Sequence, residues 1–293
     1  MIPKIFETAY ECCELCPRRC RVNRYEKKGF CGAGTEIRAA KAMIHLWEEP
    51  VLGERSGAVF FSNCTLKCVY CQNFRISHEG FGKVLTPREL SDAFLRLQDE
   101  GAQNIDLVTP AHYLPGILKA LELCKPKLSV PVVYNCGGYE RAEILKLLEG
   151  YVDIWLPDVK YFSDEMAFRY SSAKDAFRVS CEALAEMIRQ KKAGSSKEVI
   201  VRHMVLPGGK DDSVKLLLRL AERFGTEDFL LSLMSQYTPF YKASEYPEIN
   251  RRLTSYEYDR VLRTAVELGF SGFMQERTSA KEEYTPEFDL GGL

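Results

Sequence analysis

From residue 57 onward, short apolar runs alternate with amphipathic stretches, and this alternation restricts the fold more than any other feature of the chain. The runs fall at 57–63, 104–109, 131–135, 152–157, 198–206 and 228–235. Val152-Asp153-Ile154-Trp155-Leu156 and Phe229-Leu230-Leu231-Ser232-Leu233 are nearly continuous in apolar character, as strands buried on both faces require. Helical patterns lie between the runs, near 114–123, 139–149, 175–192 and 212–224. Another begins at Thr86-Pro87-Arg88-Glu89, with Thr as N-cap, Pro at the first helical position and Glu three residues after the cap. Leu90, Phe94 and Leu97 then recur at helical spacing. Such alternation predicts βαβ units and a parallel sheet of the α/β class. Right-handed crossovers put the C-terminal ends of all its strands on one rim, where loops build a site. Six strands over about 180 residues fall short of the about 250 of a closed eight-stranded barrel. An open, six-stranded partial (β/α)6 barrel fits better, with a flavodoxin-like open sheet as the alternative from pattern alone.

The flanks read differently. Residues 1–55 are expected to form a Cys-rich segment plus a connector, with a short ordered piece around Ile44 to Trp47. Residues 56–240 are the expected barrel, and 241–293 an extension with a helix near 256–268 and a short run, Gly272-Phe273-Met274-Gln275, packed on it. A formal net charge of −1 gives no general affinity for nucleic acid or a membrane surface. No stretch of about 18 apolar residues is present to span a bilayer, and the start, Met1 to Glu7, lacks the apolar core of a signal peptide. Eleven cysteines in a chain of 293 residues are clustered rather than spread. The expectation is metal ligation in a reducing cytoplasm.

Three of those cysteines, Cys64, Cys68 and Cys71, follow the first apolar run in the spacing Cys-x3-Cys-x2-Cys. One short loop can aim three thiolates at one centre, and thiolates are the usual ligands of iron–sulfur clusters. Three cysteines on a four-iron cubane leave one iron open for chemistry. A zinc site completed from elsewhere, or three unrelated thiols, are the alternatives.

With Tyr70 as the aromatic residue before Cys71, the loop resembles the signature of the radical S-adenosylmethionine (SAM) superfamily. The resemblance implies a partial TIM barrel, a 4Fe–4S cluster on Cys64, Cys68 and Cys71, and SAM chelated at the open iron. Reductive cleavage of SAM then yields methionine and a 5′-deoxyadenosyl radical that abstracts hydrogen from substrate, with the electron coming from a donor such as flavodoxin or ferredoxin.

The strand ends carry further likenesses. Asn135-Cys136-Gly137-Gly138 resembles the Asp-Thr-Asn-Gly turn of pyruvate formate-lyase-activating enzymes. Its glycines permit close backbone approach to a ligand. Asn135 stands where those enzymes carry Asp, which leaves a bound monovalent cation open. Asp158-Val159-Lys160 resembles their Asp-x-Lys, and residues two apart on extended chain face the same way. Arg202-His203-Met204-Val205-Leu206-Pro207-Gly208 resembles their Arg-x-x-x-x-Pro-Gly strand. There the guanidinium grips the SAM carboxylate, a bidentate task that suits Arg. Arg202 and His203 must face opposite sides, so Arg202 is expected in the pocket and His203 in packing or at the surface. Thr109-Pro110-Ala111-His112 departs from the Gly-Gly-Glu expected after the second strand. Tyr70, Asn135, Asp158, Lys160 and Arg202 are thus the expected cofactor contacts, and no catalytic base is evident.

The N-terminal segment adds Cys13, Cys16, Cys20 and Cys31 in the spacing Cys-x2-Cys-x3-Cys-x10-Cys, with Cys12 as a spare neighbour. Four thiolates suit a closed zinc site or a second cluster, and a metal-free segment is the alternative. Arg18, Arg19, Arg21 and Arg24 either face an acidic partner or solvate the surface. With the radical SAM loop, this segment resembles the pyruvate formate-lyase-activating-enzyme-like subgroup of uncharacterised function. The name of that subgroup does not imply its substrate; the Asp158-x-Lys160 and Arg202 likenesses favour a glycyl-radical enzyme partner whose glycine loses a hydrogen. Radical modification of another peptide or small molecule, or a non-catalytic iron–sulfur or zinc protein, are the alternatives. Cys124, Cys136 and Cys181 are isolated and expected in the core or in turns.

Overall fold

The computed structural model describes residues 2–46, 48–275 and 286–293. Nine strands and eight α-helices follow one another along these residues: β1 (Ile37–His45), β2 (Ser56–Phe61), α1 (Phe74–Ser77), β3 (Lys83–Leu85), α2 (Pro87–Asp99), β4 (Asn104–Val108), α3 (Leu114–Cys124), β5 (Val132–Cys136), α4 (Ala142–Lys146), β6 (Ile154–Pro157), α5 (Asp164–Ser171), α6 (Ala176–Lys192), β7 (Glu198–Met204), α7 (Lys210–Arg223), β8 (Leu230–Met234), α8 (Ser255–Glu267) and β9 (Gly272–Met274). All the strands join one sheet in the order β3-β1-β2-β4-β5-β6-β7-β8-β9. From β2 to β9 every neighbouring pair is parallel. The six strands expected from the sequence are β2, β4, β5, β6, β7 and β8, and they form an unbroken central block.

The flanks differ from expectation. Residues 37–45, read as connector, form the nine-residue β1, antiparallel to β2 and β3. Alanine is depleted in strands, and Ala39, Ala40 and Ala42 concealed this one. Their small side chains are fully buried. Of the short piece expected at Ile44 to Trp47, Ile44 ends in β1, and Trp47 lies outside the described residues. The short run at 272–274 is β9, which extends the parallel sheet beyond β8. The helix expected over 139–149 shrinks to Ala142–Lys146, because Gly138, at φ +72°, holds the preceding chain in a turn.

Alternation along each strand sorts side chains into two layers. Ile105, Leu107, Val132 and Tyr134 face outward and pack with Leu90, Phe94 and Leu97 of α2 in the main core. Val133, Ile154, Leu156 and Ile200 face inward and form an apolar floor with Leu52. The main core also takes Phe6, Tyr10, Leu15, Cys31 and Ala33 from the N-terminal segment, so that segment is packed onto the barrel rather than tethered to it. Residues 286–293 return to β1: the Leu290 amide donates to the Ala40 carbonyl at 3.1 Å, and the Ala42 amide to the Gly291 carbonyl at 3.0 Å. Phe288 packs edge-on against Phe60. Among the described residues no helix is long and apolar enough to cross a membrane.

The predicted start of α2 is present in full. Thr86 accepts from the Glu89 amide at 3.2 Å, and Glu89 accepts from the Thr86 amide at 2.8 Å. Thr86→Ala should therefore lower unfolding free energy by about 1 kcal/mol. Phe94→Ala, which empties a wholly buried site, should lower it by about 3–5 kcal/mol. Urea denaturation measures both.

Candidate active site

The strand β2 is buried along its whole length, and the chain leaves it through Asn63 at φ +71°. A left-handed backbone is tolerated better by Asn than by most residues. Here it is held by the Asn63 amide donating to the Ile76 carbonyl at 2.8 Å and by Tyr113 Oη donating to Asn63 Oδ1 at 3.1 Å. The turn delivers Cys64, Cys68 and Cys71 to the rim of a cavity of about 430 Å³ at the C-terminal ends of the parallel strands. All three are partly buried and unpaired. Each sulfur has a polar neighbour: the Leu66 amide donates to Cys64 Sγ at 3.4 Å, Ser171 Oγ lies 2.9 Å from Cys68 Sγ, and Ser77 Oγ lies 3.2 Å from Cys71 Sγ.

Burial pushes all three thiols upward, Cys71 to about 11, and a charged Cys68 would push its two neighbours further. Holding three thiolates together here is costly, and a positive centre between them would offset that cost. Metal binding supplies that centre. Thiolates are the usual ligands of iron–sulfur clusters, and three unpaired, partly buried cysteines on one loop are a donor set that fits such a cluster.

The remaining walls come from the other strand ends. Asp158 and Lys160 both line the cavity and pair with each other, while Val159 between them is buried on the far side. Burial works against the Lys160 charge, but Asp158 and Cys68 outweigh it and hold the ammonium charged. The same alternation puts Arg202 in the cavity and buries His203, whose Nδ1 donates to the Val159 carbonyl at 2.7 Å. Tyr70 lines the cavity and hydrogen-bonds Tyr161 Oη at 2.6 Å. Asn135 also lines it, and its amide donates to Asp106 Oδ2 at 3.1 Å. Thr109, at the end of β4, lines the cavity with φ +61°, an uncommon backbone for a β-branched residue.

Several site residues were not legible beforehand. Glu48 and Glu49 clasp the Arg202 guanidinium: Nε donates to Glu49 Oε1 at 2.6 Å and Nη2 to Glu49 Oε2 at 2.5 Å, with Glu48 also on Nη2. Burial opposes the Glu49 charge, but Arg202, together with hydrogen bonds from Arg202 and Ser232, holds this carboxyl below the usual range. Asp106 goes the other way, raised first by burial and next by Glu48. It is the one acidic residue in the apolar run Ile105-Asp106-Leu107-Val108, a signal that was available. The glycines after β5 also let the chain's own loops pack closely, and Gly137 lines the cavity. A Cβ at Gly138 would overlap the Asp158 carbonyl, and one at Gly137 would meet Leu66 at 2.8 Å.

Cys13, Cys16 and Cys31 are buried and Cys20 partly so, away from the cavity walls, with Cys12 exposed. Burial pushes Cys16 up to about 12, and Cys31, Glu140 and Cys13 add to it. The arginines divide unevenly. Arg19 pairs with Glu143 and Arg21 with Glu14 near the surface. Arg24 is buried, donating to the His112 carbonyl at 2.6 Å and lying over the Tyr10 ring. Arg18 reaches the cysteine loop, donating to the Thr65 carbonyl at 3.0 Å. Cys124, Cys136 and Cys181 are fully buried, as expected.

A model of the radical SAM superfamily matches residues 58–221, more than half of the chain. An uncharacterised protein of Methanocaldococcus jannaschii is 33% identical over 271 residues, spanning 89% of this chain and 76% of its own length. Among solved structures, the FeFe-hydrogenase maturase HydG from Carboxydothermus hydrogenoformans superposes with a TM-score of 0.51 at 12% identity, over 75% of this chain and 53% of that one. The enzyme anSMEcpe with bound AdoMet gives 0.50 at 16% identity, over 73% and 61%. The chain spans less than two thirds of either structure, and at these identities the likeness bears on the fold alone. The chain belongs to the radical SAM superfamily. Membership implies a 4Fe–4S cluster and SAM as cofactors.

Arg202→Met strands two carboxylates in the barrel interior, and removing one partner of a buried ion pair costs about 3–5 kcal/mol. Adding Glu48→Gln and Glu49→Gln should recover most of that loss in urea denaturation. The pH dependence follows from Glu49. Its folded value is lowered, so its contribution is complete above about pH 4.5 and is lost as pH falls through that lowered value. Arg202→Met should lose this acid-side slope.

Proposed function

We propose that the protein is a radical SAM enzyme in which Cys64, Cys68 and Cys71 hold a 4Fe–4S cluster and SAM occupies the adjoining cavity. The observation that carries this reading is the meeting of three unpaired cysteines with Asp158, Lys160 and Arg202 around one cavity at the strand ends. When bound, the cluster and SAM supply a 5′-deoxyadenosyl radical through one-electron reductive cleavage, the electron coming from a low-potential donor such as flavodoxin or ferredoxin.

The chain's own residues bind and shield. Lys160 carries three donors and spends one on Asp158, which leaves it able to take a ligand carboxylate. Arg202 is occupied on Nε and Nη2 by Glu48 and Glu49, so a ligand carboxylate reaches it only in competition with them. Asn135 offers an amide at the same rim. Phe61, Leu66, Tyr70, Met204, Met234 and Tyr237 give the cavity its apolar walls. The substrate reading is hydrogen abstraction from a glycine of a partner glycyl-radical enzyme, supported by the Asp158-x-Lys160 and Arg202 likenesses to activating enzymes. The N-terminal Cys13, Cys16, Cys20 and Cys31 form a second metal site, zinc or cluster, in the same reading.

The test is 5′-deoxyadenosine formation by anaerobically reconstituted, dithionite-reduced protein supplied with SAM. Wild type should release product, and Cys68→Ala should fall to the buffer background. Iron-loaded, reducible wild type that leaves SAM intact would overturn the enzymatic reading. Product without any glycine-centred radical on candidate partner proteins would redirect the search to other substrates.

A further inference from the structure

The serine that touches Cys68 is a hub. Ser171 ends α5 and is wholly buried. Its hydroxyl lies 2.9 Å from Cys68 Sγ and 2.7 Å from Tyr161 Oη, which in turn lies 2.6 Å from Tyr70 Oη. A metal-bound thiolate carries no proton, so the direction of this chain is fixed: Tyr70 donates to Tyr161, Tyr161 to Ser171, and Ser171 to the sulfur. The Ser171 carbonyl accepts from the Lys67 amide of the cysteine loop at 3.2 Å. The C-terminal end of α5 thus abuts the loop that carries Cys64 and Cys68.

That arrangement is electrostatically awkward alone. The last carbonyls of a helix lack helical partners and form its negative pole, here set beside thiolates. Arg18 relieves it. Its guanidinium takes the Ser172 carbonyl on Nη1, the Ser171 carbonyl on Nη2 at 3.4 Å and the Thr65 carbonyl on Nε at 3.0 Å. Phe30 stacks 3.9 Å away and Tyr139 5.2 Å away, which fixes the fork in place. Arginine cannot lose its proton in a protein, so the positive charge is permanent. Arg18 itself comes from between Cys16 and Cys20, so the N-terminal segment supplies a charge to the other cysteine set.

We propose that Arg18 and Ser171 are positioning residues that set the reduction potential of the cluster held by Cys64, Cys68 and Cys71. This rests on the function proposed above. Reduction adds one electron to the cluster, and both a hydrogen bond to a ligand sulfur and a nearby fixed positive charge stabilise the added negative charge. Removing either makes the potential more negative and the cluster harder to reduce.

The experiment is a redox titration of the full-length, anaerobically reconstituted protein, with dithionite as the electron source and the EPR signal of the reduced cluster as readout. Wild type is compared with Ser171→Ala, Arg18→Gln and Arg18→Lys. Ser171→Ala and Arg18→Gln should each shift the reduction equilibrium about tenfold, about 59 mV more negative for a one-electron couple. Arg18→Lys keeps the charge and should shift it less. If Arg18→Gln loosens the N-terminal segment, as a lowered melting temperature would report, Ser171→Ala decides the question on its own. Iron-loaded Ser171→Ala and Arg18→Gln with the wild-type potential would overturn this inference and leave the proposed function standing. Wild type that never yields a reducible cluster would overturn both.

Discussion

An unclosed barrel must fill its own interior, and the structure turns on how this one does so. The parallel strands leave an inner face with an apolar floor of Val133, Ile154, Leu156 and Ile200. The chain's own segment before β2 completes it: Leu52 joins the floor, and Glu49 and Glu48 meet Arg202 above it. Arg202 is in register with Ser232 on β8 and bridges to Asp158 after β6. Arg202 therefore ties three chain segments together, its guanidinium holding Glu48 and Glu49 and its backbone pairing with β8 and with Asp158. A charge so deep is stable only while it is paired, so cavity and barrel interior are parts of one balance.

Much of this frame was legible in the sequence. The six central strands are buried on both faces, and a short continuous apolar run is what such burial demands. The period of two along a strand correctly divided Arg202 from His203 and joined Asp158 with Lys160. The cysteine loop announced itself through spacing alone. β1 was not legible because its alanines carry no β signal, although their small size is what its buried position uses. Glu48 and Glu49 were not legible either. They pair with a residue 154 and 153 positions away, and no local pattern encodes a partner so distant.

The N-terminal arginines make the same point in another way. A run of basic residues in a Cys-rich segment reads as a solvated face, and for Arg19 and Arg21 that description holds. Arg24 and Arg18 point inward instead, toward backbone carbonyls of the His112 turn and of the cysteine loop. Carbonyls at turns and helix ends are the polar groups that a packed segment must satisfy. An arginine fork can satisfy several at once, and no sequence pattern distinguishes that use from solvation.

The charges around the cavity also narrow what it can hold. Around the cavity that the cysteines line, Asp158 pairs with Lys160, and Glu48 and Glu49 with Arg202. Asp106 beneath them is raised by burial and the nearby Glu48 toward its neutral form. Three carboxylates against two cations leave this wall nearly balanced, with both signs presented within one cavity. A bare polyanion would find Glu48, Glu49 and Asp158 against it, and a simple cation would meet Lys160 and Arg202. A ligand that carries an ammonium and a carboxylate on one carbon can exchange with both sets of pairs at once. The wall therefore offers partners of both signs at once, which suits a zwitterionic ligand better than an ion of one sign.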